Sequence, residues 1–393
     1  MSAITNFPLI EISGTPQARG RAYGEAARQR IQASIDLYAG QMSKLDFNLA
    51  DLPRLTANLI SKIEGWAPHH LEEMLGISEG AGVDFQQIVL INARTEIVQM
   101  VRREFQAKSA AGEPDGCTGV VILPEASADG DLIHAQTWDW LAECANTSVV
   151  LKVLQADGPD ILTFTEAGGL ARNGFNSAGL AITANYLESE RDYRQAGIPL
   201  ALIRRKVLEQ THLANAIRVV ATTPKSTSNN MIISSVEGFA VDLECAPDEV
   251  FPLYPDNGII VHSNHWQSQV ALAKLKEMGL GFMPDSLYRD YRVRQHLRPR
   301  IGHIGWSDVR DALSDKFGEP FAVCRAPNAA ITGNLGATVA LVMFKPADGL
   351  MEVTPLPALN SEVTQYRLDM DPAAMERAAL ANAARASTQA AAQ

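Results

Sequence analysis

Cys117 stands where its thiol could act on the backbone that precedes it. It follows the pair Asp115-Gly116 and begins the apolar run CTGVVILP. An Asp-Gly pair is typical of a tight turn, and a short apolar run after a turn predicts a buried strand. A thiol beside an exposed, strained Gly-Cys bond could attack the carbonyl of Gly116 and form a thioester that water resolves. The pattern therefore allows self-cleavage between Gly116 and Cys117.

Such a cut would create a free α-amino group on Cys117. Its unperturbed pKa of about 7.7 to 8.0 suits a general base that acts on the thiol of the same residue. The alternative is a buried cysteine at the start of a core strand, since free cysteines usually behave as small hydrophobes. The other cysteines, Cys144, Cys245 and Cys324, are widely spaced and form no CxxC pair, so neither a disulfide scaffold nor a zinc knuckle is indicated.

The composition limits the partners. A formal net charge of -11 over 393 residues argues against nucleic acid or an anionic membrane, because both would require a basic face to offset phosphate charge. The N-terminus MSAITNFPLIEISG has no basic head followed by a long apolar stretch. No segment reaches the roughly 18 uninterrupted apolar residues of a membrane helix. We therefore expect a cytoplasmic globular protein.

The chain changes character at Cys117. Residues 15–101 carry apolar residues three and four apart, which predicts helices, whereas short β-like runs follow one another after 117. Between them, residues 103–116 are small, charged and turn-forming, which predicts an exposed loop. Helical patterns return at 198–222 and 285–318 before a last pair of strands. Runs of strands flanked by runs of helices favour antiparallel sheets covered by helices.

Two histidine pairs do not predict a metal site, and several glycine-containing segments do not predict a nucleotide site. His262 and His265 in HSNHW, like the pair His69-His70, have no acidic or cysteine ligand at metal-site spacing, so no metal is predicted. The glycine motifs match neither GxGxxG nor GxxxxGK[ST], so no nucleotide cofactor is expected. The serine-hydrolase motif GxSxG is also absent.

Several segments together resemble a known family. They occur in the order GTPQARGRAYGEAAR, INARTE, DGCTGVV, QTWDW, FTEAG, GFNSAGLAITANY, VHSNH and PFAVCRA. The chain resembles the acyl-CoA:6-aminopenicillanic acid (isopenicillin N) acyltransferase-like cysteine N-terminal nucleophile (Ntn) hydrolases, of the peptidase family C45 type. This family is related to the choloylglycine hydrolases and penicillin V acylases. The resemblance extends from about residue 8 to about residue 370.

The resemblance implies an α+β fold, a four-layer αββα sandwich with two antiparallel sheets between helical layers. It also implies a precursor that cuts itself at Gly116-Cys117. The helix-rich residues 1–116 would become an α-chain packed on the core, and residues 117–393 would become a β-chain that begins with the nucleophile. We expect the alanine-rich residues 373–393 to form a flexible tail.

The resemblance also implies roles for single residues. Cys117 matches the nucleophile, and Asp139 matches a carboxylate beside the new amino terminus. Asn264 matches the oxyanion-hole asparagine, and Asn185 matches a second asparagine of the pocket. Arg325 matches an arginine whose charge favours the thiolate. Taken alone, Asp139 could be a turn or cap residue, the asparagines could end strands, and Arg325 could form an ordinary ion pair.

Differences from the fungal acyltransferase lie near the expected substrate pocket. Asn334 and Leu335 replace a Ser-Arg pair before Gly-Ala-Thr, and Gly119 replaces a hydroxyl residue. Losing that arginine removes one anchor for an acidic acceptor. Aromatic residues within or next to the family-like segments indicate a pocket suited to a small acyl or aryl amide. We predict that the following residues bind substrate: Trp138, Trp140, Tyr186 and Trp266.

These observations favour an amidohydrolase that cleaves a small N-acylated amine or amino acid through a thioester on Cys117, without a cofactor. An acyltransferase that moves an acyl group from acyl-CoA or an amide to an amine is the close alternative, because both begin with the same acyl-enzyme. A second alternative is an uncleaved binding or scaffold protein. The expected partners are the small amide substrate and the chain's own cleaved α-chain, as an αβ heterodimer, and a homo-oligomer is compatible with the sequence.

Replacing the nucleophile tests self-cleavage. Cys117→Ala should remain one chain, because no other group is positioned to attack the carbonyl of Gly116. Intact-mass spectrometry of the purified wild-type protein should show two chains, the second beginning at Cys117. Cleavage of the alanine variant at the same bond would show that Cys117 is not the attacking group.

Overall fold

The computed structural model describes residues 4–104, 116–329 and 335–392. Most of the expected processing loop and Asn334 lie outside these residues. Within the described residues the strands form two sheets. The strands are β1 (Leu9–Ser13), β2 (Gly116–Ile122), β3 (Ile133–Leu141), β4 (Ser148–Leu154), β5 (Ile161–Glu166), β6 (Asn173–Asn176), β7 (Leu180–Tyr186), β8 (Asn229–Ser235), β9 (Phe239–Cys245), β10 (Val250–Leu253), β11 (Ile259–His262), β12 (Gly336–Lys345), β13 (Leu350–Pro355) and β14 (Thr364–Arg367).

The helices precede, interrupt and follow these strands. They are α1 (Pro16–Ala26), α2 (Arg28–Ser43), α3 (Leu52–Trp66), α4 (Pro68–Ala81), α5 (Phe85–Asn92), α6 (Arg94–Glu104), α7 (Leu200–Leu208), α8 (Leu213–Thr222), α9 (Gln269–Lys274), α10 (Asp285–Leu297), α11 (Trp306–Leu313) and α12 (Pro372–Ala392). The predicted helical stretch at 15–101 is thus divided into six helices. Pro53 and Pro68 lie in the first turns of α3 and α4, and Gly82 follows α4, as is typical of helix starts and ends.

The larger sheet has the order β1-β4-β5-β6-β7-β8-β9-β10, and the smaller has the order β11-β2-β3-β12-β13-β14. Strands β2 and β3 of the smaller sheet pack against β7 of the larger one. Helices α7 and α8 contact the larger sheet at β7 and β8, whereas α10 and α11 contact the smaller sheet at β11 and β3. This arrangement confirms the predicted four-layer αββα sandwich.

One strand pair departs from the antiparallel prediction. Strand β1 pairs with β4 in parallel, with Leu9 opposite Val150 and Ser13 opposite Leu154. Its residues alternate between exposed and buried, as expected for an edge strand with one face on the core. The N-terminal part of the chain, predicted to be helical, therefore also contributes a strand to the larger sheet.

Helices α1 and α4 pack with their backbones in close contact, because glycines face the partner helix. A Cβ added at Gly76 would lie 2.1 Å from the carbonyl oxygen of Gln17. A Cβ added at Gly20 would lie 2.1 Å from the carbonyl oxygen of Glu73. No side chain larger than hydrogen fits at either position without separating the helices.

The alanine-rich tail forms α12, and its first two turns are anchored. Ala374 and Ala378 are buried, and Arg377 forms an ion pair with Glu237 at 2.9 Å. Flexibility of residues 373–393 remains a prediction. Among the described residues, no helix combines the length and apolar composition needed to cross a bilayer.

The α1–α4 contact predicts a large effect of a small substitution. Gly76→Ala should lower the thermal unfolding temperature, because overpacking of this kind typically costs about 1–3 kcal/mol. Gly40→Ala is the matched control, since Gly40 is exposed on α2 and a Cβ there meets nothing within 4 Å. The control should be stabilised by about 0.4–1 kcal/mol. Circular dichroism during heating measures both, and an unchanged Tm for Gly76→Ala would contradict the close helix packing.

Candidate active site

Cys117 is the second residue of β2, and its side chain is buried, with 1% exposure. In the register between β2 and β3, Cys117 lies opposite Trp138 and Gly116 lies opposite Asp139. Because successive side chains of a strand point to opposite faces, Cys117 and Trp138 share one face and Asp139 lies on the other. The Cys117 face is directed towards the larger sheet, since Trp138 contacts Phe164 of β5.

The bond that precedes Cys117 lies directly beside a carboxylate. A Cβ added at Gly116 would lie 2.8 Å from Oδ2 of Asp139, so only glycine allows this approach. Oδ2 of Asp139 is buried and accepts no hydrogen bond of good geometry among the described residues, although Nε of Arg325 lies 3.3 Å away. An acceptor with spare capacity is therefore held beside the Gly116-Cys117 segment.

Arg172 is the arginine that contacts the thiol. Its Nη2 donates to Sγ of Cys117 at 3.9 Å, and its guanidinium lies over the ring of Trp138, 3.9 Å from the centroid. Its side chain is buried, with 6% exposure. The sequence analysis missed Arg172, although it lies in GGLARNG, between two of the family-like segments.

Asn264 lies beside the backbone of Cys117. Its Oδ1 accepts from the backbone N–H of Cys117 at 2.9 Å and from Nη2 of Arg289 at 2.8 Å. Its Nδ2 donates to the carbonyl oxygen of Tyr186 at 2.9 Å, and its own N–H donates to Oγ of Ser286 at 2.7 Å. These contacts fix the amide plane of Asn264 next to Cys117.

Arg289, a second residue that the sequence analysis missed, holds the same segment from α10. Its Nη1 donates to the carbonyl oxygen of Cys117 at 2.8 Å and to Oγ1 of Thr118 at 2.9 Å. Its Nε forms an ion pair with Asp285 at 2.8 Å, one turn earlier on the helix. The i, i+4 spacing of this Asp-Arg pair is the sequence signal that could have identified it.

Arg325 joins Asp139 to the same buried charges. Its Nη2 lies 2.5 Å from Oδ2 of Asp285, and its Nε lies 3.3 Å from Oδ2 of Asp139. Thr338 donates to Oδ1 of Asp139 at 2.6 Å. The structure thus places Arg325 against the carboxylates, whereas the guanidinium that contacts Sγ belongs to Arg172.

The two carboxylates experience different environments. Burial raises the pKa of Asp139, and the charges of Arg325 and Arg289 offset this effect only in part. Burial would also raise the pKa of Asp285, but Arg289 and Arg325 outweigh it and lower that pKa. Asp139 is therefore the better proton acceptor of the two, since its charge is less fully compensated.

Asn185 lies on β7 of the larger sheet and faces β2 at Gly119, not at the thiol of Cys117. Its Nδ2 donates to the carbonyl oxygen of His262 at 2.7 Å, and its Oδ1 accepts from Gln136 at 2.7 Å. A Cβ added at Gly119 would lie 3.6 Å from Nδ2 of Asn185 and 2.9 Å from Cδ1 of Ile232. The absence of a side chain at Gly119 therefore makes room for the residues of β7 and β8.

His262 carries a buried charge behind Asn185. Burial by itself would lower its pKa, but Asp242 and Glu244 outweigh burial and raise the pKa to about 9. The Nε2 atom lies 2.8 Å from Oε1 of Glu244. The strand end that leads to Asn264 is thus anchored by an ion pair within the protein.

The aromatic residues predicted to bind substrate divide into two groups. Trp140 and Tyr186 line a depression that is partly open to solvent and whose other wall is helix α6; we call it the α6 cavity. Trp140 shares the Cys117 face of β3 with Trp138, and the guanidinium of Arg94 lies 4.3 Å from the centroid of its ring. Trp266 lies elsewhere: it packs against Phe251 at 6.0 Å in a separate buried cluster.

The histidine pair His69-His70 does meet an acidic residue. Glu209, distant in sequence, lies 3.0 Å from Nε2 of His69 and 2.9 Å from Nε2 of His70. Arg205 and Lys206 also contact Glu209, at 3.2 and 3.4 Å. Burial lowers the pKa of His70, which Glu209 only partly opposes. The carboxylate is already compensated by two cations, so these contacts serve to join α4 to α7.

Comparison with known proteins identifies the family of this chain. The family model described as acyl-coenzyme A:6-aminopenicillanic acid acyl-transferase matches residues 126–355, more than half of the chain. The chain belongs to this family, which confirms the resemblance seen in the sequence. It is a family of enzymes, and the prediction that the chain is an enzyme is confirmed at that level.

The individual relatives have low sequence identity to this chain. The 40 kDa form of acyl-coenzyme A:6-aminopenicillanic-acid-acyltransferase from Emericella nidulans is 29% identical over 323 residues, which cover 81% of this chain and 84% of the relative. A mutant conjugated bile acid hydrolase from Clostridium perfringens matches with a TM-score of 0.45 and 12% identity, covering 64% of this chain and 92% of that one. Penicillin V acylase from Agrobacterium tumefaciens matches with a TM-score of 0.44 and 16% identity, covering 65% of this chain and 88% of that one.

The contact between Gly116 and Asp139 predicts how a methyl group would affect maturation. If the chain cuts itself at Gly116-Cys117 as predicted, Gly116→Ala should slow the appearance of two chains by roughly 10- to 100-fold, because the new Cβ would displace the carboxylate of Asp139 from that bond. Intact-mass spectrometry over time after purification measures the rate, and Gly40→Ala is the control that should mature normally. A thermal unfolding temperature of Gly116→Ala equal to that of the wild-type protein would show that its fold is intact. Maturation of Gly116→Ala at the wild-type rate would contradict a role for the position of Asp139.

Proposed function

We propose that this protein is a self-processing Ntn hydrolase that uses Cys117 to hydrolyse the amide bond of a small N-acylated amine or amino acid. The observation that carries the proposal is the set of groups around Cys117. The buried thiol of Cys117 contacts the guanidinium of Arg172, and the backbone N–H of Cys117 donates to Asn264. The preceding residue, Gly116, adjoins a carboxylate oxygen of Asp139 that can accept a further hydrogen bond. These are the parts that an N-terminal nucleophile requires.

In the processing step, Sγ of Cys117 attacks the carbonyl carbon of Gly116. The carbon–nitrogen bond breaks, a thioester forms, and the thiol proton passes to the nitrogen, which becomes the free amine of Cys117. Water then hydrolyses the thioester, which releases the carboxylate of Gly116 and regenerates the thiol. Asn264 supports this step because it already accepts a hydrogen bond from the nitrogen that leaves.

After processing, the new amine lies on the same segment as the acceptor oxygen of Asp139. That oxygen can accept a hydrogen bond from the amine and orient its lone pair towards the thiol. The amine takes the thiol proton, and Sγ attacks the substrate carbonyl. Arg172, at 3.9 Å from Sγ, stabilises the negative charge that the sulfur develops.

Asn264 is the donor best placed for the oxyanion of the substrate. Its NH2 group, which can donate two hydrogen bonds, lies on the residue that holds the backbone N–H of Cys117 and donates to the carbonyl oxygen of Tyr186. The amine product leaves with the proton held by the amine of Cys117, and an acyl-thioester remains. Water hydrolyses this thioester and completes the cycle.

The two products of processing would remain together. Strand β1, from residues 1–116, pairs with β4 from the remainder. Glu73 forms a buried ion pair with Arg205 at 3.0 Å, and Asn92 accepts from the N–H of Leu170 at 2.9 Å. Contacts of this kind across the cut support an αβ heterodimer as the active form.

Acyl transfer is the second candidate, and the family match favours it. The acyl-enzyme is the same in both reactions, so the outcome depends on whether water or a bound amine reaches the thioester first. Leu335, at the position where the fungal sequence carries arginine, is 40% exposed and offers no charge to hold an acidic acceptor. This residue favours hydrolysis.

A substrate panel separates the two reactions. Mature protein is incubated with small N-acyl amines and N-acyl amino acids, and separately with acyl-CoA and 6-aminopenicillanic acid. We expect free acid and amine from the first set and little coupled product from the second. Cys117→Ala is the control and should release neither product. Efficient coupling with negligible amide hydrolysis would establish the acyltransferase, and an uncut chain inactive in both assays would support the scaffold alternative.

A further inference from the structure

Helix α6 presents one face to the α6 cavity. Positions four residues apart lie on the same face of a helix, and the residues that α6 contributes follow this spacing: Arg94, Thr95, Val98, Gln99 and Arg102. The opposite wall consists of Trp140 and Tyr186. The described residues that line the cavity include two arginines and no acidic residue.

The two arginines differ in how their charge is used. Arg94 forms an ion pair with Glu166 at 3.4 Å and stacks on Trp140. The guanidinium of Arg102 makes no hydrogen bond or ion pair within residues 4–104, 116–329 and 335–392, and its Nε is shielded from solvent. The neighbouring Arg103 points elsewhere, with its guanidinium 4.5 Å from the ring centroid of Tyr193. Arg102 therefore supplies the uncompensated charge of the cavity.

Two residues that line the α6 cavity neighbour the surroundings of Cys117 in the sheets. Trp140 lies on the Cys117 face of β3, two residues from Trp138, which is opposite Cys117. The carbonyl oxygen of Tyr186, on the other side of the same wall, accepts from Nδ2 of Asn264. A small amide held at Cys117 could therefore extend one substituent into the α6 cavity.

We propose that the α6 cavity binds a carboxylate of the substrate through Arg102, so that the preferred substrate is an N-acyl amino acid rather than an uncharged N-acyl amine. This inference rests on the proposed function and specifies its substrate class. A guanidinium binds a carboxylate through two parallel hydrogen bonds, and Gln99, one turn earlier, lines the same cavity as an additional donor. The aromatic rings of the opposite wall would contact the apolar part of the substrate.

The cleaved N-terminal chain would then take a direct part in substrate specificity. Arg102 belongs to residues 1–116, so an acidic substrate would be bound by one chain and cleaved by the other. Arg102, on α6, would supply the positive charge for an acidic group that Leu335 does not provide.

The test compares acid and amide forms of one substrate. The kcat/KM of mature wild-type protein for N-benzoylglycine should exceed that for N-benzoylglycinamide by roughly 10- to 100-fold, the scale of one lost hydrogen-bonded charge contact. Arg102→Gln should abolish this preference, and Arg102→Lys should retain part of it. Arg103→Gln is the matched control, because it removes the adjacent charge outside the cavity, and it should leave the preference unchanged. Equal kcat/KM for acid and amide in the wild-type protein would overturn the inference and leave the proposed hydrolase standing.

Two further arms separate the remaining outcomes. Succinic acid monoanilide carries its carboxylate on the acyl side, and a dependence on Arg102 for this substrate alone would refute the N-acyl amino acid assignment. If the mature protein cleaves none of these amides, the proposed function fails at this point. The carboxylate site is then decided by calorimetry with the uncleavable 4-oxo-4-phenylbutanoate and its amide: tighter binding of the acid, lost in Arg102→Gln, supports the site, and equal binding refutes it.

Discussion

The site depends on one buried carboxylate, Asp285, which two arginines share. Arg289 binds Asp285 and reaches the backbone of Cys117, and Arg325 binds Asp285 and Asp139. Cys117 and Asp139 are therefore located by the same cluster of charges. Each member needs the others, since removing one partner of a buried ion pair typically costs about 3–5 kcal/mol.

Missing side chains are as important to this site as the charged ones. Gly116 admits the carboxylate of Asp139, and Gly119 admits Asn185 and Ile232. Close packing leaves no alternative position for these groups, because protein interiors have almost no unused volume. Helix α6 precedes Cys117 in the sequence, yet the packing places it as one wall of the α6 cavity, opposite Trp140 and Tyr186.

Much of the fold followed from local patterns. The helical period up to residue 101 and the later runs of strands and helices predicted antiparallel sheets covered by helices, and the family resemblance implied the four-layer sandwich that the structure shows. Strand β1 was missed, because LIEIS is short and precedes a long helical region. Trp266 was grouped with the other aromatic residues, yet it lies in a separate cluster, since the sequence does not show towards which core a tryptophan after a strand will turn.

The sequence by itself determined the order of the family-like segments, the strand that Cys117 joins and the presence of sheets covered by helices, because these depend on residue type and on spacing of a few residues. Only the tertiary structure decided which arginine contacts the thiol and which carboxylate the histidine pair meets. Arg172 is 55 residues from Cys117, and Glu209 is 139 residues from His70. Contacts over such separations are set by how sheets and helices pack, and a hydrogen bond of about 3 Å leaves no mark in the local pattern of either partner.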